Sequence, residues 1–255
     1  MKFCKNIKII SNTALTEDIY DLRLESPEIT SEAKPGQFVN IYLNDTSHLL
    51  PRPISICEVN GSELRVVYRV VGAGTKALSA AKPGEILDVT GPVGNGYDTD
   101  MINTSFSRVL LFGGGVGIPP MLELAKRLEV KTDVFLGYRD VLFLEKDFPA
   151  NVTVHISTED GSAGTRGNVM DALKESGIKG DCICACGPGP MLRAIRQYSE
   201  ENSIKTYFSL EEHMACGVGA CLGCVCKTKD VDEHSRVKNA RVCVDGPVFD
   251  VDTLE

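Results

Sequence analysis

A cysteine-rich run near the carboxyl end carries the most specific chemical pattern of the sequence. Positions 216–224 read CGVGACLGC, which has the spacing C-x4-C-x2-C, and a further cysteine stands at position 243. Plant-type [2Fe–2S] clusters are ligated with this spacing, because four thiolates must converge on two irons. Gly217 and Gly219 allow the backbone to wrap closely and leave N–H groups free to face the cluster. The predicted ligands are Cys216, Cys221, Cys224 and Cys243.

A structural zinc ion is the alternative interpretation, since four cysteines satisfy zinc as well. Zinc sites usually combine two C-x2-C pairs, whereas the second half here supplies one cysteine, so the cluster is favoured. Cys226 lies two residues beyond Cys224, and we interpret it as a spare buried thiol on the opposite side of a strand. The alternating Cys182, Cys184 and Cys186 are interpreted as small hydrophobic residues that share one buried strand face.

Two glycine-rich turns each follow a predicted buried strand and open a predicted helix. They read GGGVGIPP at positions 113–120 and CGPGPM at positions 186–191. Glycines permit a tight turn that a phosphate can approach, and the helix N-terminus offers free N–H groups to an anion. Either turn alone could be purely structural, but two of them at strand ends predict a ligand crevice at one sheet edge. The predicted dinucleotide-binding residues are Gly114, Gly115, Gly117 and Gly187.

A second group of candidate binding residues lies in the first hundred positions. Arg52 and Ser55 stand on one short strand, where a cation and a hydroxyl can bind a phosphate and the edge of a flavin. The loop GAGT at positions 72–75 offers backbone N–H groups to a diphosphate. Taken alone, these would more often be ordinary strand and turn residues. The candidate set is Arg52, Pro53, Ile54, Ser55, Tyr68, Arg69, Val70, Val71, Gly74 and Thr75.

The elements that must position these residues change character twice along the chain. Up to about position 100, short alternating and β-branched runs separated by turn signals predict an antiparallel β-barrel. Apolar runs then alternate with helical periods, which predicts an α/β domain with a parallel sheet. The last part has cysteines and glycines but no helical period. We predict three domains, at 1–100, 101–210 and 211–255.

Composition narrows the functional class. The 255 residues carry a net charge of -8, which argues against nucleic acid as a partner. Lysines interrupt the first ten positions too often for a signal peptide, and no apolar run approaches the roughly 18 residues that span a bilayer. We therefore expect a cytoplasmic protein without a membrane partner. Ten cysteines in such a protein indicate a metal or redox site rather than disulfides.

The order of the motifs resembles the ferredoxin–NADP reductase superfamily, which pairs an FAD-binding β-barrel with a nucleotide-binding α/β domain. The cysteine run, preceded by EEHMA at positions 211–215 and followed by CVDGPVF at 243–249, is similar to electron-transfer subunits of type B, NAD-dependent dihydroorotate dehydrogenases. The resemblance covers essentially the whole chain. It implies that the 52–75 residues hold FAD, that the glycine-rich turns hold NAD, and that Ile54 stands where the superfamily usually has a flavin-stacking tyrosine.

The resemblance also implies a partner and a route for electrons. An FMN-containing catalytic subunit would oxidise dihydroorotate, and electrons would pass through the [2Fe–2S] cluster and FAD to NAD+ during pyrimidine (UMP) synthesis, in a heterotetramer with two copies of each chain. NAD is favoured over NADP by this resemblance, although Arg139, with Asp140 beside it, stands where a 2′-phosphate would bind. The alternatives are a similar reductase subunit of a hydrogenase, sulfur reductase or transhydrogenase complex, and a non-enzymatic binding module with structural zinc.

Overall fold

The amino-terminal part folds as a closed antiparallel barrel, as the alternating pattern predicted. The computed structural model describes residues 2–43, 47, 49–231 and 236–255. Around the barrel the strands follow the order β1-β2-β5-β4-β3-β6. The strands are β1 (Lys2–Ala14), β2 (Ile19–Glu25), β3 (Phe38–Tyr42), β4 (Arg52–Asn60), β5 (Glu63–Arg69) and β6 (Ile86–Val93). Two short helices join them, α1 (Pro27–Thr30) and α2 (Ala73–Ser79).

The two faces of β3 pack against different parts of the protein. Val39 and Ile41 point into the barrel and are completely buried in its core. Because side chains alternate along a strand, Phe38 and Asn40 face away from that core. Phe38 packs instead into a cluster that includes Val242 and Phe249 of the carboxyl-terminal part. The strand therefore joins the barrel to the end of the chain.

The middle of the chain forms the predicted α/β layer structure. A seven-stranded sheet has the order β10-β9-β8-β7-β11-β12-β15, in which all pairs but the last are parallel. Its first elements are α3 (Thr99–Ser105), β7 (Arg108–Gly114), α4 (Ile118–Arg127), β8 (Lys131–Tyr138) and β9 (Thr153–Thr158). The others are β10 (Thr165–Arg166), α5 (Val169–Ser176), β11 (Cys182–Cys186), α6 (Gly189–Asn202) and β12 (Lys205–Ser209). In the described part of the chain, no helix has the length and apolar character that crossing a membrane requires.

Local sequence explains where these elements stop and which face they bury. Gly177 ends α5 with φ 64°, a left-handed conformation that glycine adopts without strain. Cys182, Cys184 and Cys186 all lie in the core cluster on one side of the sheet, whereas Ile183 and Ala185 lie in the cluster on the other side. The interpretation of the three cysteines as buried residues of one strand face is confirmed.

The carboxyl-terminal part returns to the sheet, which the sequence did not predict. Its strands are β13 (Val225–Lys227), β14 (Asn239–Arg241) and β15 (Val248–Asp250). β15 pairs antiparallel with β12 and becomes the edge of the seven-stranded sheet. At the base of the segment between them, the Leu210 N–H donates to the Pro247 carbonyl at 2.8 Å. The segment that contains the cysteine run is therefore fixed at both ends.

A buried ionic network joins the barrel to the α/β layers. The guanidinium of Arg65 lies 2.9 Å from Asp21, 2.9 Å from Glu58 and 2.6 Å from Asp147. Glu58 also pairs with Lys126 of α4. Buried charges are tolerated only when they are paired and hydrogen-bonded. The network therefore restricts the position of the barrel relative to the α/β layers.

Candidate functional site

A cavity of about 680 Å³ lies where the barrel, the first glycine-rich turn and the carboxyl-terminal segment meet. Nine of the ten candidate residues of the first hundred positions line it, and Val70 does not. The lining residues from that set are Arg52, Pro53, Ile54, Ser55, Tyr68, Arg69, Val71, Gly74 and Thr75. The structure adds lining residues outside this candidate set, which are Phe38, Pro51, Val67, Gly72, Ala73, Val116, Pro247 and residues 210–214.

Arg52 provides the clearest sign that the cavity receives an anion. Its Nη2 donates to the Leu50 carbonyl at 3.0 Å, but its Nε–H is buried without a hydrogen-bond partner among the described residues. The guanidinium packs directly on Gly74, where a Cβ atom would lie 2.4 Å from Cζ. A buried N–H without a partner costs free energy, so the site fits a ligand with acceptor oxygens such as the diphosphate of FAD.

Thr75 shapes the loop beside Arg52 rather than offering a free hydroxyl. Its Oγ1 accepts hydrogen bonds from the N–H groups of Val71 and Gly72, at 2.9 and 3.2 Å, and donates to the Gly72 carbonyl at 3.1 Å. These bonds close the loop at the start of α2, where first-turn N–H groups have no partner within the helix. Arg69 stands at the same wall and pairs with Asp18 at 3.1 Å.

The aromatic and aliphatic residues of the cavity wall have different roles. The Tyr68 ring is buried and stacks on Tyr20 with 5.9 Å between ring centroids, while its hydroxyl donates to Asn12 Oδ1 at 3.2 Å. Burial raises the pKa of Tyr68, so the phenol stays protonated. Ile54 faces the cavity with an aliphatic side chain where the superfamily usually has a tyrosine. A flavin ring packed on Ile54 would therefore meet an aliphatic surface there.

The two glycine-rich turns lie in direct contact, as the sequence predicted for strands that end at one sheet edge. β7 and β11 are parallel neighbours, with Cys186 opposite Gly113. A Cβ on Gly117 would lie 2.2 Å from the Cys186 carbonyl oxygen, and a Cβ on Gly187 would lie 3.1 Å from the Gly114 Cα. Gly115 has φ 54°, and Val116 beside it reaches the cavity. The contact between the two turns therefore lies next to the cavity, and the predicted ligand crevice at this sheet edge stays a prediction.

Glu211 is a site residue to which the sequence assigned no role. Its carboxyl lines the cavity, and the Cys186 thiol donates to Oε1 at 3.9 Å. The carboxyl is open to the cavity but surrounded by protein, and this desolvation raises its pKa. Burial likewise raises the pKa of Cys186. Glu211 and Cys186 are therefore both weaker acids than usual, and they form a hydrogen-bonded pair between the cavity and the second glycine-rich turn.

The four predicted ligand cysteines come together as two pairs. The Cys216 thiol interacts with the Cys221 thiol, and the Cys224 thiol interacts with the Cys243 thiol. Cys216 also acts electrostatically on Cys243. In the described parts of the chain, no three His, Cys, Asp or Glu side chains surround one point closely enough to hold a single ion. A two-iron cluster is held by four cysteine thiolates, and this arrangement of the thiols is compatible with one.

Backbone N–H groups of the loop face these sulfur atoms. Cys216 Sγ accepts from the N–H of Val218 at 3.5 Å and from that of Cys221 at 3.4 Å, and Cys221 Sγ accepts from Gly223 at 3.4 Å. Burial acts to raise the pKa of Cys216, but the N–H groups outweigh it and lower the pKa to about 7. Gly217 and Gly219 have φ 63° and 84°, which permits this wrapping. At Cys216 the loop therefore favours the thiolate, the form that ligates iron, whereas burial raises the pKa of Cys243 to about 12.

Cys226 pairs with Ala240 of β14 and packs against the cluster of buried residues that contains Cys224 and Cys243. It is half-buried in the middle of β13, and burial raises its pKa to about 11. Its interpretation as a spare thiol stays a prediction.

Comparison with known proteins identifies the carboxyl-terminal part. Residues 211–255 match the iron–sulfur cluster binding domain of dihydroorotate dehydrogenase B. Among solved structures, one described as an NADH-dependent reduced ferredoxin–NADP oxidoreductase has a TM-score of 0.86 and 30% identity, covering 100% of this chain and 91% of its own. A ferredoxin NADP+ reductase from Neisseria gonorrhoeae with bound FAD and NADP has a TM-score of 0.60 at 15% identity, covering 79% and 92% of the two chains, and shows the shared fold.

The barrel, the α/β sheet and the cluster segment define an oxidoreductase of the ferredoxin–NADP reductase superfamily. Two curated relatives are named "Dihydroorotate dehydrogenase B (NAD(+)), electron transfer subunit". The one from Geobacillus sp. (strain WCH70) is 40% identical over 253 residues, 96% of each chain. The one from Fusobacterium nucleatum is 41% identical over 250 residues, 93% of each chain. This chain belongs to the family of dihydroorotate dehydrogenase B electron transfer subunits.

Proposed function

We propose that this chain takes electrons from the FMN of a dihydroorotate dehydrogenase catalytic subunit and delivers them, by way of a [2Fe–2S] cluster and FAD, to NAD+ in pyrimidine synthesis. The observation that carries the proposal is the continuity of one stretch of backbone. Residues 210–214 form a wall of the cavity, and two residues later the same stretch reaches Cys216. The candidate flavin site and the candidate cluster site are therefore built on one piece of chain.

The proposed binding residues divide among three parts of the chain, at 1–100, 101–210 and 211–255. Those for FAD are Arg52, Pro53, Ile54, Ser55, Tyr68, Arg69, Val70, Val71, Gly74 and Thr75. Those for NAD are Gly114, Gly115, Gly117 and Gly187, and those for the cluster are Cys216, Cys221, Cys224 and Cys243. We further propose that the complex is cytoplasmic and contains two copies of each subunit.

The residues of this chain hold, orient and shield the groups that do the redox chemistry. Flavin supplies the ability to exchange electrons singly with an iron–sulfur cluster and as a hydride with nicotinamide. Arg52 would offer the flavin diphosphate its Nε–H, which has no partner among the described residues, and the loop fixed by Thr75 would leave backbone N–H groups for the same anion. Glu211 and Cys186 stand between the cavity and the second glycine-rich turn, where they can orient the nicotinamide end of NAD.

NAD rather than NADP fits the surroundings of Arg139. Its Nε lies 3.3 Å from Asp140 Oδ2, so the cation that a 2′-phosphate would need already faces a carboxylate. The Asp140 carbonyl in turn accepts from Ser162, whose hydroxyl also donates to Asp160. Two carboxylates beside the position of the 2′-phosphate would repel it.

The surface around the cluster loop suits an apolar partner. Val218, Leu222, Val225 and Val244 belong to this part of the chain and all have exposed side chains. Apolar side chains gathered on a surface mark sites of protein association. We propose that the catalytic subunit docks here, because electrons from its FMN must arrive close to the thiol pairs.

Purification of the complex from the native host, with anaerobic assay of dihydroorotate-dependent NAD+ reduction, tests the function. Cys221→Ser should remove this activity and leave NADH oxidation by a flavin-reactive dye, because Cys221 belongs to a thiol pair and the dye needs only the flavin. Cys226→Ser is the matched control and should leave both activities intact. Dihydroorotate-dependent reduction that survives Cys221→Ser would overturn the proposed route.

One observation favours a second candidate, a transhydrogenase-type reductase subunit. The structure with 30% identity and a TM-score of 0.86 is described as an NADH-dependent reduced ferredoxin–NADP oxidoreductase. A purified complex that couples NADH to ferredoxin or NADP+ and ignores dihydroorotate would support that candidate. The same cofactor sites would then serve a different partner.

A further inference from the structure

Asn40 is a buried polar residue on the outer face of the barrel. It is completely buried although its neighbours Val39 and Ile41 already fill the barrel core. The alternation of β3 turns its side chain toward the carboxyl-terminal segment. Burying a polar side chain costs free energy unless its contacts compensate for it, so the contacts of Asn40 need to be described.

The carboxamide of Asn40 meets the cluster loop at Gly217. Its Nδ2 donates to the Gly217 carbonyl at 3.3 Å. A Cβ on Gly217 would lie 2.4 Å from Nδ2 and 2.6 Å from Oδ1, so the glycine packs flat against the carboxamide. Gly217 stands between Cys216 and Val218, whose N–H donates to Cys216 Sγ. The contact therefore fixes the part of the loop that wraps the first cysteine.

The backbone of Asn40 belongs to the wall of the flavin cavity. In the barrel, Asn40 pairs with Pro53 of β4, and Pro53 lines the cavity between Arg52 and Ile54. One residue therefore links the strand beside the cavity to the loop that holds the first thiol pair. This link runs through space and is independent of the chain continuity at residues 210–216.

Packing alone does not explain an asparagine here. Its Oδ1 is buried and has no hydrogen-bond partner among the residues that the structure describes. An unpartnered buried carbonyl oxygen costs free energy, and leucine has a similar size without that cost. Residues that break a local rule in this way are expected at functional sites.

We propose that Asn40 is a positioning residue, whose carboxamide holds Gly217 and the cluster loop against the strand that lines the flavin cavity. The proposal rests on the proposed function and adds to it the residue that sets the loop's place. Loss of the carboxamide frees the loop while the barrel stays folded. Residues that support metal ligands in this way typically account for about 10- to 100-fold in metal affinity or activity.

A double-mutant cycle on the purified full-length chain tests the contact directly. Iron release to a chelator is followed by the loss of the cluster's visible absorption in Asn40→Ala, Gly217→Ala and the double variant. Each single change should accelerate release about tenfold. The Cβ of Gly217→Ala would strike the Asn40 carboxamide, and Asn40→Ala removes the group that it would strike. The double variant should therefore release iron more slowly than the product of the two single accelerations predicts. A double variant whose acceleration equals the product of the two singles would overturn the proposal.

Asn40→Leu separates positioning from stability. Amide hydrogen exchange at positions 216–221 should become faster, while the unfolding midpoint of the whole chain is unchanged or higher. Asn12→Leu is the matched control, because Asn12 Nδ2 donates to the carbonyls of Leu78 and Ala81 inside the barrel, at 2.9 and 3.0 Å. It should lower the midpoint without faster iron release. Equal acceleration of iron release by the two leucine variants, or wild-type loop exchange in Asn40→Leu, would overturn the proposal.

These measurements are independent of the physiological partner. Iron release and loop exchange are measured on this chain alone, so they remain decisive if the wild-type complex fails to reduce NAD+ with dihydroorotate. Failure of that coupled assay counts against the proposed function. Unchanged loop behaviour in the Asn40 variants counts against the positioning role.

Discussion

Alanine at Gly117 would force apart the two turns that we assign to NAD. The added Cβ would lie 2.2 Å from the Cys186 carbonyl oxygen and 2.4 Å from its carbon, both of which are backbone atoms. Gly117 has φ −79°, a value that any residue adopts, so the contact alone produces the effect. Overpacking of this kind costs about 1–3 kcal/mol. If this free energy is lost from the NADH-bound state, the KM for NADH should rise about 5- to 150-fold.

The assay is NADH oxidation by a flavin-reactive dye, with KM and kcat determined separately. Gly177→Ala is the matched control, because Gly177 has φ 64° with open space around it and lies at the end of α5. That change should cost about 1 kcal/mol of stability through backbone strain and leave the KM for NADH unaltered. A Gly117→Ala protein that is folded, retains flavin and has a KM within about twofold of wild type would refute the assignment of the turns, since a cost of about 1 kcal/mol already corresponds to about fivefold.

Two further predictions concern charged groups whose environment changes their energetics. Arg65→Met should lower the free energy of unfolding by about 3–5 kcal/mol, because it removes the guanidinium that pairs with the buried Asp21 carboxylate at 2.9 Å. Arg139→Met, at the exposed pair with Asp140, should cost less than about 1 kcal/mol in the same urea titration; equal losses would contradict the importance of burial. The pKa of Glu211 is raised in the folded protein, so the folded wild type binds this proton more tightly than the unfolded chain and loses stability as the pH rises from the ordinary glutamate pKa through the raised one. Glutamine does not titrate, so the free energy of unfolding of Glu211→Gln should increase relative to that of wild type over this pH range. A difference between wild type and Glu211→Gln that does not vary with pH would contradict the desolvation of this carboxyl.

The parts of the site that the sequence predicted are those in which residue type and spacing carry the chemistry. The spacing of Cys216, Cys221 and Cys224 follows from the size of a two-iron cluster, so it is readable without coordinates. The glycine-rich turns are readable because a phosphate must approach the backbone and a helix must begin. The barrel was predictable because its strands alternate and are separated by turn residues.

The features that the sequence did not reveal depend on contacts between distant residues. Asn40 interrupts an apolar strand and gives no local sign that it faces Gly217, 177 positions away. Glu211 stands in a run of polar residues, and its desolvation arises only from the cavity around it. Strand β15 has three residues, too few for a periodic pattern, and its place in the sheet is set by pairing with β12.

The hydrogen bond between Leu210 and Pro247 gives the cluster segment the topology of a hairpin loop. Strands β12 and β15 are antiparallel partners, with Ser209 opposite Val248. The residues between them therefore form one long loop whose two ends are adjacent. Insertions at such points are tolerated, because the host needs only to keep its two strands in register. The iron–sulfur centre is thus carried as a graft on the edge of a flavin reductase, and its removal or exchange would leave the hydrogen-bond ladder of the host sheet complete.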